Sequence, residues 1–439
     1  MAFIADKQTL EDLNIQGKYK SNSLYSIFNQ VKTGGGGRLL DHMFHHPMTD
    51  AAAINQRSNM FRYFHRKALA FPLDADEFRL MENYLQSGGS QSWLRNSLQV
   101  TRRRTLKAIG LMQEYEMFNK GFDATVQQWQ QLHRFFSALQ QDPENPLQQQ
   151  TGAFMKMYSH EKFSWLRQPL HAAHISFWQM MQYDHLLRNS FHEQMKELLQ
   201  LIYLLDVCIA VSDVAREKDF VYAEALPREA GIISVKGCRH PGIDKAIGND
   251  LALHREQNML FLTGANMAGK STFMKSFGVA VYMAHMGFPV AAENMQFAVK
   301  DGIYSSINVP DNLDMGYSHF YAEVLRVKEV AAEVASGKDL LVIFDELFKG
   351  TNVKDAYDAT LAVAEAFSAY RNCAFIISTH IIEVGTALMN NNPNLRFAYL
   401  PTIMEGVIPR YTYRMENGIT SDRHGMMIIE NEKIIEIIG

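Results

Sequence analysis

The sequence predicts an α + α/β protein: an all-helical region over residues 1–220, then an α/β domain over residues 221–439 with a mostly parallel sheet. Three observations carry this. Helical patterns with few prolines run as far as residue 220. Beyond it, short apolar runs (Ile232–Val235, Met259–Thr263, Leu340–Phe344, Ala374–Thr379) alternate with helical patterns near 270–285, 319–336 and 353–370. A small-residue loop, Gly264-Ala265-Asn266-Met267-Ala268-Gly269-Lys270-Ser271, joins one apolar run to a helix.

In the helical region, candidate helices lie near 21–32, 37–44, 50–69, 76–86, 92–120, 123–141, 151–163, 167–187 and 189–217. Breaks fall at Gly34–Gly37, Gly88-Gly89 and Asp142–Pro146. The tetra-glycine reads as a flexible turn before a helix, because no strand precedes it and no Lys-Ser/Thr follows. Segment 189–217 is apolar on several faces and should be a central packed helix. Its stretch Leu198–Val214 contains Asp206 and Asp213, which favours a buried helix over a membrane span. In the second region, Arg410–Arg414 and Met426–Ile438 read as closing strands.

Composition bounds the class. A chain of 439 residues with 47% hydrophobic and 21% charged residues is expected to be globular, with about two or three domains. Cys208, Cys238 and Cys373 are far apart and show no disulfide or metal spacing. With no signal-peptide layout at Met1–Lys7, a reducing, cytoplasmic setting is expected. His42, His45 and His46 do not make a metal site, since the adjacent pair faces different ways on a helix. Net charge is −4, with 25 Lys+Arg against 24 Asp+Glu in 1–235 and 18 against 23 in 236–439. Neither half is basic enough to signal a duplex DNA grip, and the dense patch Arg102-Arg103-Arg104 with Lys107 reads as a solvated helix face.

The loop fits G-x-x-x-x-G-K-[ST], whose backbone N–H groups cradle a polyphosphate at a helix N-terminus. Backbone amides from Asn266 to Thr272 would hold the phosphates, through Met267, Ala268 and Gly269. Lys270 would reach the β/γ-phosphates, and Ser271 would help hold Mg²⁺. Hydrolysis needs more, and Leu340–Glu346 supplies it. A buried strand there ends in two acids, Asp345 to organise Mg²⁺ and Glu346 to polarise the attacking water. Thr379-His380 ends a further apolar run, where His380 would contact the γ-phosphate region.

With these residues in place the chain resembles the MutS family of DNA mismatch-repair ATPases. Thr263–Thr272 is similar to the family's T-G-P-N-M-G-G-K-S-T, with Ala265 for its proline and Ala268 for one glycine. Ser318–Glu323 resembles S-T-F-x-x-E, Asp345–Thr351 resembles D-E-x-x-x-G-T, and Ser378-Thr379-His380 resembles A-T-H. Cys238-Arg239-His240-Pro241 resembles G-R-H-P, and Ser305–Pro310 departs from T-R-[IV]-G-A. In the helical half, Leu205-Asp206-Val207 through Val221 resembles the lever ending, and Thr33–Pro47 the start of the core domain.

The resemblance implies a helical core/lever region and an ABC-type ATPase domain, hydrolysing ATP with Mg²⁺ as a homodimer with composite sites. Ser318, on its own residues a helix N-cap, would then reach the partner's γ-phosphate. Tyr413 falls where an adenine-stacking ring would stand, an ordinary strand residue being the alternative; Ala246-Ile247 opposite offers no ring. The family's mismatch-reading and connector domains are expected to have no counterpart in this sequence. The expectation is therefore an ATP-driven switch on branched or distorted DNA without mismatch reading. The alternative is a nucleotide-gated scaffold for a protein or ribosomal RNA partner, with slow or no turnover. No membrane association is expected.

Overall fold

The computed structural model describes residues 2–17, 23–87, 112–167, 175–307, 319–392, 394–405, 408–420 and 437–438. Ser318, Gly88-Gly89, Arg102-Arg103-Arg104 with Lys107, and residues 426–436 of the expected closing strand lie outside the described residues. Two compact units form, one of residues 1–28, 43–58 and 214–439, the other of 29–42 and 59–213. A cut at residue 220 would instead place 1–28 and 43–58 with the helices.

The first unit contains strands β1 (Ile4–Ala5), β2 (Val221–Tyr222), β3 (Glu224–Leu226), β4 (Ile232–Cys238), β5 (Asn249–His254), β6 (Met259–Gly264), β7 (Pro289–Val290), β8 (Asn294–Ala298), β9 (Gly302–Ser306), β10 (Leu340–Asp345), β11 (Ala374–Ser378), β12 (Leu395–Leu400), β13 (Thr402–Glu405), β14 (Ile408–Tyr411) and β15 (Glu416–Asn417). Its main sheet runs β1-β9-β10-β11-β6-β12-β15, and every pairing is parallel except β12 with β15. A second sheet runs β3-β8-β4-β5.

The central strands are apolar at nearly every position because both faces are covered, as parallel sheets require. Met259, Phe261, Leu340, Val342, Phe344, Phe375 and Ile377 share one core with Val330, Val334, Phe367, Val384 and Leu388. That face is covered by the helices His319–Ala335, Val353–Ser368 and Ile382–Asn391. Ile343, on the opposite face, meets the helix Lys270–His285 at Gly278, where an added Cβ would come within 3.1 Å of it.

The N-terminal segment completes this unit from a distance in sequence. β1 pairs with β9, and Asp6 caps the helix Lys7–Asp12 by accepting from Thr9 N at 3.0 Å. Asp6 also pairs with Arg326. Thr9 Oγ1 accepts from Ser305 N at 2.9 Å, and Asp12 Oδ2 accepts from Ser305 Oγ and Ile307 N, each at 2.8 Å. These bonds satisfy the buried polar end of β9, which would otherwise be costly.

In the second unit Gly34–Gly37 corrects the sequence reading. It is the first turn of the helix Gly34–His45, not a flexible turn preceding one. Thr33 Oγ1 accepts from Gly36 N at 2.9 Å, and Asp206 accepts from Lys32 N at 3.0 Å and Thr33 N at 2.7 Å. The glycines serve close approach: a Cβ at Gly35 would lie 2.2 Å from the Tyr203 ring. Gly35→Ala should therefore destabilise the protein by about 1–3 kcal/mol, the usual cost of overpacking, and lower its Tm by several degrees. An unchanged Tm would show that the ring yields without cost.

The helix His192–Glu217 is long and apolar enough to cross a membrane by length and composition, yet 83% of its most apolar window is buried within the protein. Asp206, on this helix, is 2% exposed and fully engaged with the turn just described.

Candidate functional site

The phosphate-type loop sits where α/β sheets place ligands, at the carboxyl end of a central parallel strand. β6 is buried throughout, and the helix Lys270–His285 begins where the loop ends. The loop's tight course needs positive φ at Gly264 (143°), Met267 (68°) and Gly269 (103°). The Met267 side chain is 78% exposed, so its conformation serves the loop rather than packing. Asn266 is exposed beside it, Ala268 is buried, and Thr272 is exposed on the first helical turn.

Lys270 is 5% exposed and its Nζ donates to Gly264 O at 2.8 Å and Ala265 O at 3.2 Å. Burial holds its ammonium below the usual lysine value, with Glu346 and Asp345 opposing the shift. The lysine is thus wrapped inside its own loop, close enough to both acids to feel their charge.

Ser271 Oγ donates to Asp345 Oδ2, across 74 residues of sequence. Asp345 also accepts from Ser378 Oγ. The register explains this convergence: β10 lies beside β11 with Asp345 opposite Ser378, and β11 lies beside β6. Three adjacent strands therefore deliver the loop, the acid and the serine together at their carboxyl ends.

Glu346 adopts φ 53°, uncommon for a residue with a side chain. Its N–H donates to Ser378 O at 3.1 Å and Ser378 Oγ at 3.3 Å, which fixes the turn. Such held strain clusters at functional positions. His380 follows β11 with its side chain exposed. Ser318 lies outside the described residues; the next helix starts at His319, and Phe320 packs near Phe348, 6.1 Å between ring centroids.

A cavity of about 540 Å³ adjoins the loop, lined by Gly269, Thr272 and Phe273 on one side and by Ala246, Ile247 and Tyr413 among others. The expected ring position and the expected ringless position thus share one cavity. Tyr413 lies between β14 and β15, not within a strand.

Two contributors escaped the sequence reading. Ser378 was legible only as part of a motif; its bond to Asp345 follows from strand adjacency. Asn249, at the start of β5, carries no motif signal, yet its side chain bonds to the backbone around Tyr413.

Hard oxygen donors, a lysine and loop amides converge here, as a site for a phosphate-bearing ligand and a divalent cation requires. Comparison with known proteins agrees with the motifs. A family model described as MutS domain III matches residues 8–212, and one described as MutS domain V matches residues 260–438. The chain is 28% identical over 252 residues to the DNA mismatch repair protein MutS of Geobacillus kaustophilus, covering 55% of this chain and 28% of that one. It is also 28% identical over 254 residues to the DNA mismatch repair protein MutS of Geobacillus thermodenitrificans, covering 55% and 27%. The aligned chain thus spans less than a third of these curated relatives. Two domain models of one family, together covering most of the chain, carry the assignment: this protein belongs to the MutS family.

Proposed function

We propose that the protein is a Mg²⁺-dependent ATPase, hydrolysing ATP to ADP and phosphate as a dimeric switch that acts on DNA. The observation that carries the reading is the bond between Ser271 and Asp345, which joins the phosphate loop to the acidic strand end. A hydroxyl and a carboxylate are oxygen ligands suited to Mg²⁺, and these two would hold it. When bound, the ion neutralises charge on the phosphates.

The chain's own residues do the rest. Amides from Asn266 to Thr272 bind the phosphates, and Lys270 exchanges its loop carbonyls for phosphate oxygens. Glu346 orients and deprotonates the attacking water, and His380 faces the γ-phosphate region. Ser318 completes the partner's site, a role supported by the resemblance of Ser318–Glu323 to the family's segment. Tyr413 stacks on the base. The helical unit of residues 29–42 and 59–213 acts as core and lever, carrying the nucleotide state to the bound partner.

DNA as that partner rests on the relatives' description as DNA mismatch repair proteins. A second reading is a nucleotide-gated scaffold for a protein or ribosomal RNA; the charge balance favours its protein form, because 236–439 carries 18 basic against 23 acidic residues and any polyanion meets that net negative charge. Steady-state ATPase rates against protein concentration, with and without forked and linear DNA, separate them. DNA-stimulated turnover with steep salt dependence is expected. Intact ATP binding with no affinity for either DNA at low salt would leave the scaffold. A rate per protomer that does not fall on dilution would count against sites completed by a partner.

A further inference from the structure

The turn that carries Tyr413 is held in a way its own sequence does not explain. Tyr413 adopts φ 54°, in the left-handed region that a bulky residue avoids. Its ring packs on the phosphate loop: a Cβ added at Gly269 would lie 3.0 Å from Tyr413 Cδ1. Both features need an anchor. Asn249 supplies it from β5, more than 160 residues earlier.

The Asn249 side chain is 9% exposed by residue and uses both ends of its amide. Nδ2 donates to Tyr413 O at 2.9 Å, and Oδ1 accepts from Met415 N at 2.7 Å. The two bonds bracket Arg414 and fix the backbone on either side of it. Thr412 Oγ1 donates to Pro401 O and accepts from Arg414 N, closing the other side of the turn. The donor–acceptor pair reads the backbone as only an amide side chain can: a carboxylate lacks the donor, and an aliphatic side chain lacks both. Gly269, Asn249 and Tyr413 all line the cavity beside the loop.

We propose that Asn249 is a positioning residue, locking Tyr413 into its left-handed turn so that the ring rests on Gly269 and the base seat and phosphate loop form one unit. This rests on the nucleotide reading above. Asn249 touches no phosphate; it acts through Tyr413. Its loss should therefore remove the part of nucleotide affinity due to the base and spare the part due to the phosphates.

The test uses the whole 439-residue chain with Mg²⁺ and two probes, ATP and inorganic tripolyphosphate, by isothermal titration. Asn249→Ala should weaken ATP by about tenfold or more while tripolyphosphate stays within about twofold. Asn249→Asp, which keeps the acceptor for Met415 N, should fall between. Tyr413→Leu should resemble Asn249→Ala, and the double variant should lose no more than Tyr413→Leu alone, because the two act as one unit. Retained tripolyphosphate binding reports a folded phosphate loop in each variant. Unchanged ATP affinity in Asn249→Ala, equal losses for both probes, or additive losses in the double variant would overturn the proposal and leave the nucleotide reading standing. Failure of the unaltered protein to bind either probe would overturn both.

Discussion

Glu346→Gln should bind ATP as the unaltered protein does and lose turnover by about 10²–10³-fold in kcat. The substitution keeps the size of the side chain and the hydrogen-bonding backbone but removes the base. The turn around residue 346 is held by its N–H on Ser378, not by the carboxylate, so the variant retains its geometry. The Ser271–Asp345 bond is also independent of Glu346, so the cation ligands stay in place. Single-turnover hydrolysis with radiolabelled ATP, alongside equilibrium binding, separates the two effects. A kcat within about twofold of the unaltered protein would remove Glu346 from the chemistry, since a general base contributes far more than that.

Lys270→Ala should cost binding instead. A buried ammonium on its loop carbonyls is a strong donor set waiting for phosphate oxygens, and hydrogen bonds to charged groups contribute about 1.5–3 kcal/mol each. ATP affinity should fall by about 10- to 100-fold. The rise in Tm that saturating ATP produces in the unaltered protein should shrink accordingly. Lys270→Arg should not restore it, because a planar guanidinium does not fit a cradle shaped around a point charge. An ATP affinity within about threefold of normal, with the variant folded, would place the triphosphate elsewhere.

The central strands were legible because burial on both faces makes β6, β10 and β11 continuous apolar runs. The helix Lys270–His285 was legible for a related reason: its start is set by the loop glycine and its end by Gly287 and Pro289. β9 was not legible. Its sequence, Gly302–Ser306, ends in buried serines, one of them satisfied by Thr9 and Asp12 about 300 positions away. β1 was missed because two residues carry no periodicity, and its partner is equally distant in sequence.

The tetra-glycine shows the opposite failure. Local propensity favours a turn, but Thr33, Asp206 and Tyr203 impose a helix on residues chosen for lacking a Cβ. At the site, motifs identified the loop and the acids, whereas Ser378 and Asn249 act through bonds that only the assembled sheet reveals.

The most direct test is a crystal structure with Mg²⁺ and a nonhydrolysable ATP analogue. The expected result is a triphosphate on the Asn266–Thr272 amides and Lys270, with the cation between Ser271 and Asp345. An analogue bound away from residue 270, or the loop and the acidic strand end drawn apart with the ligand present, would contradict the account.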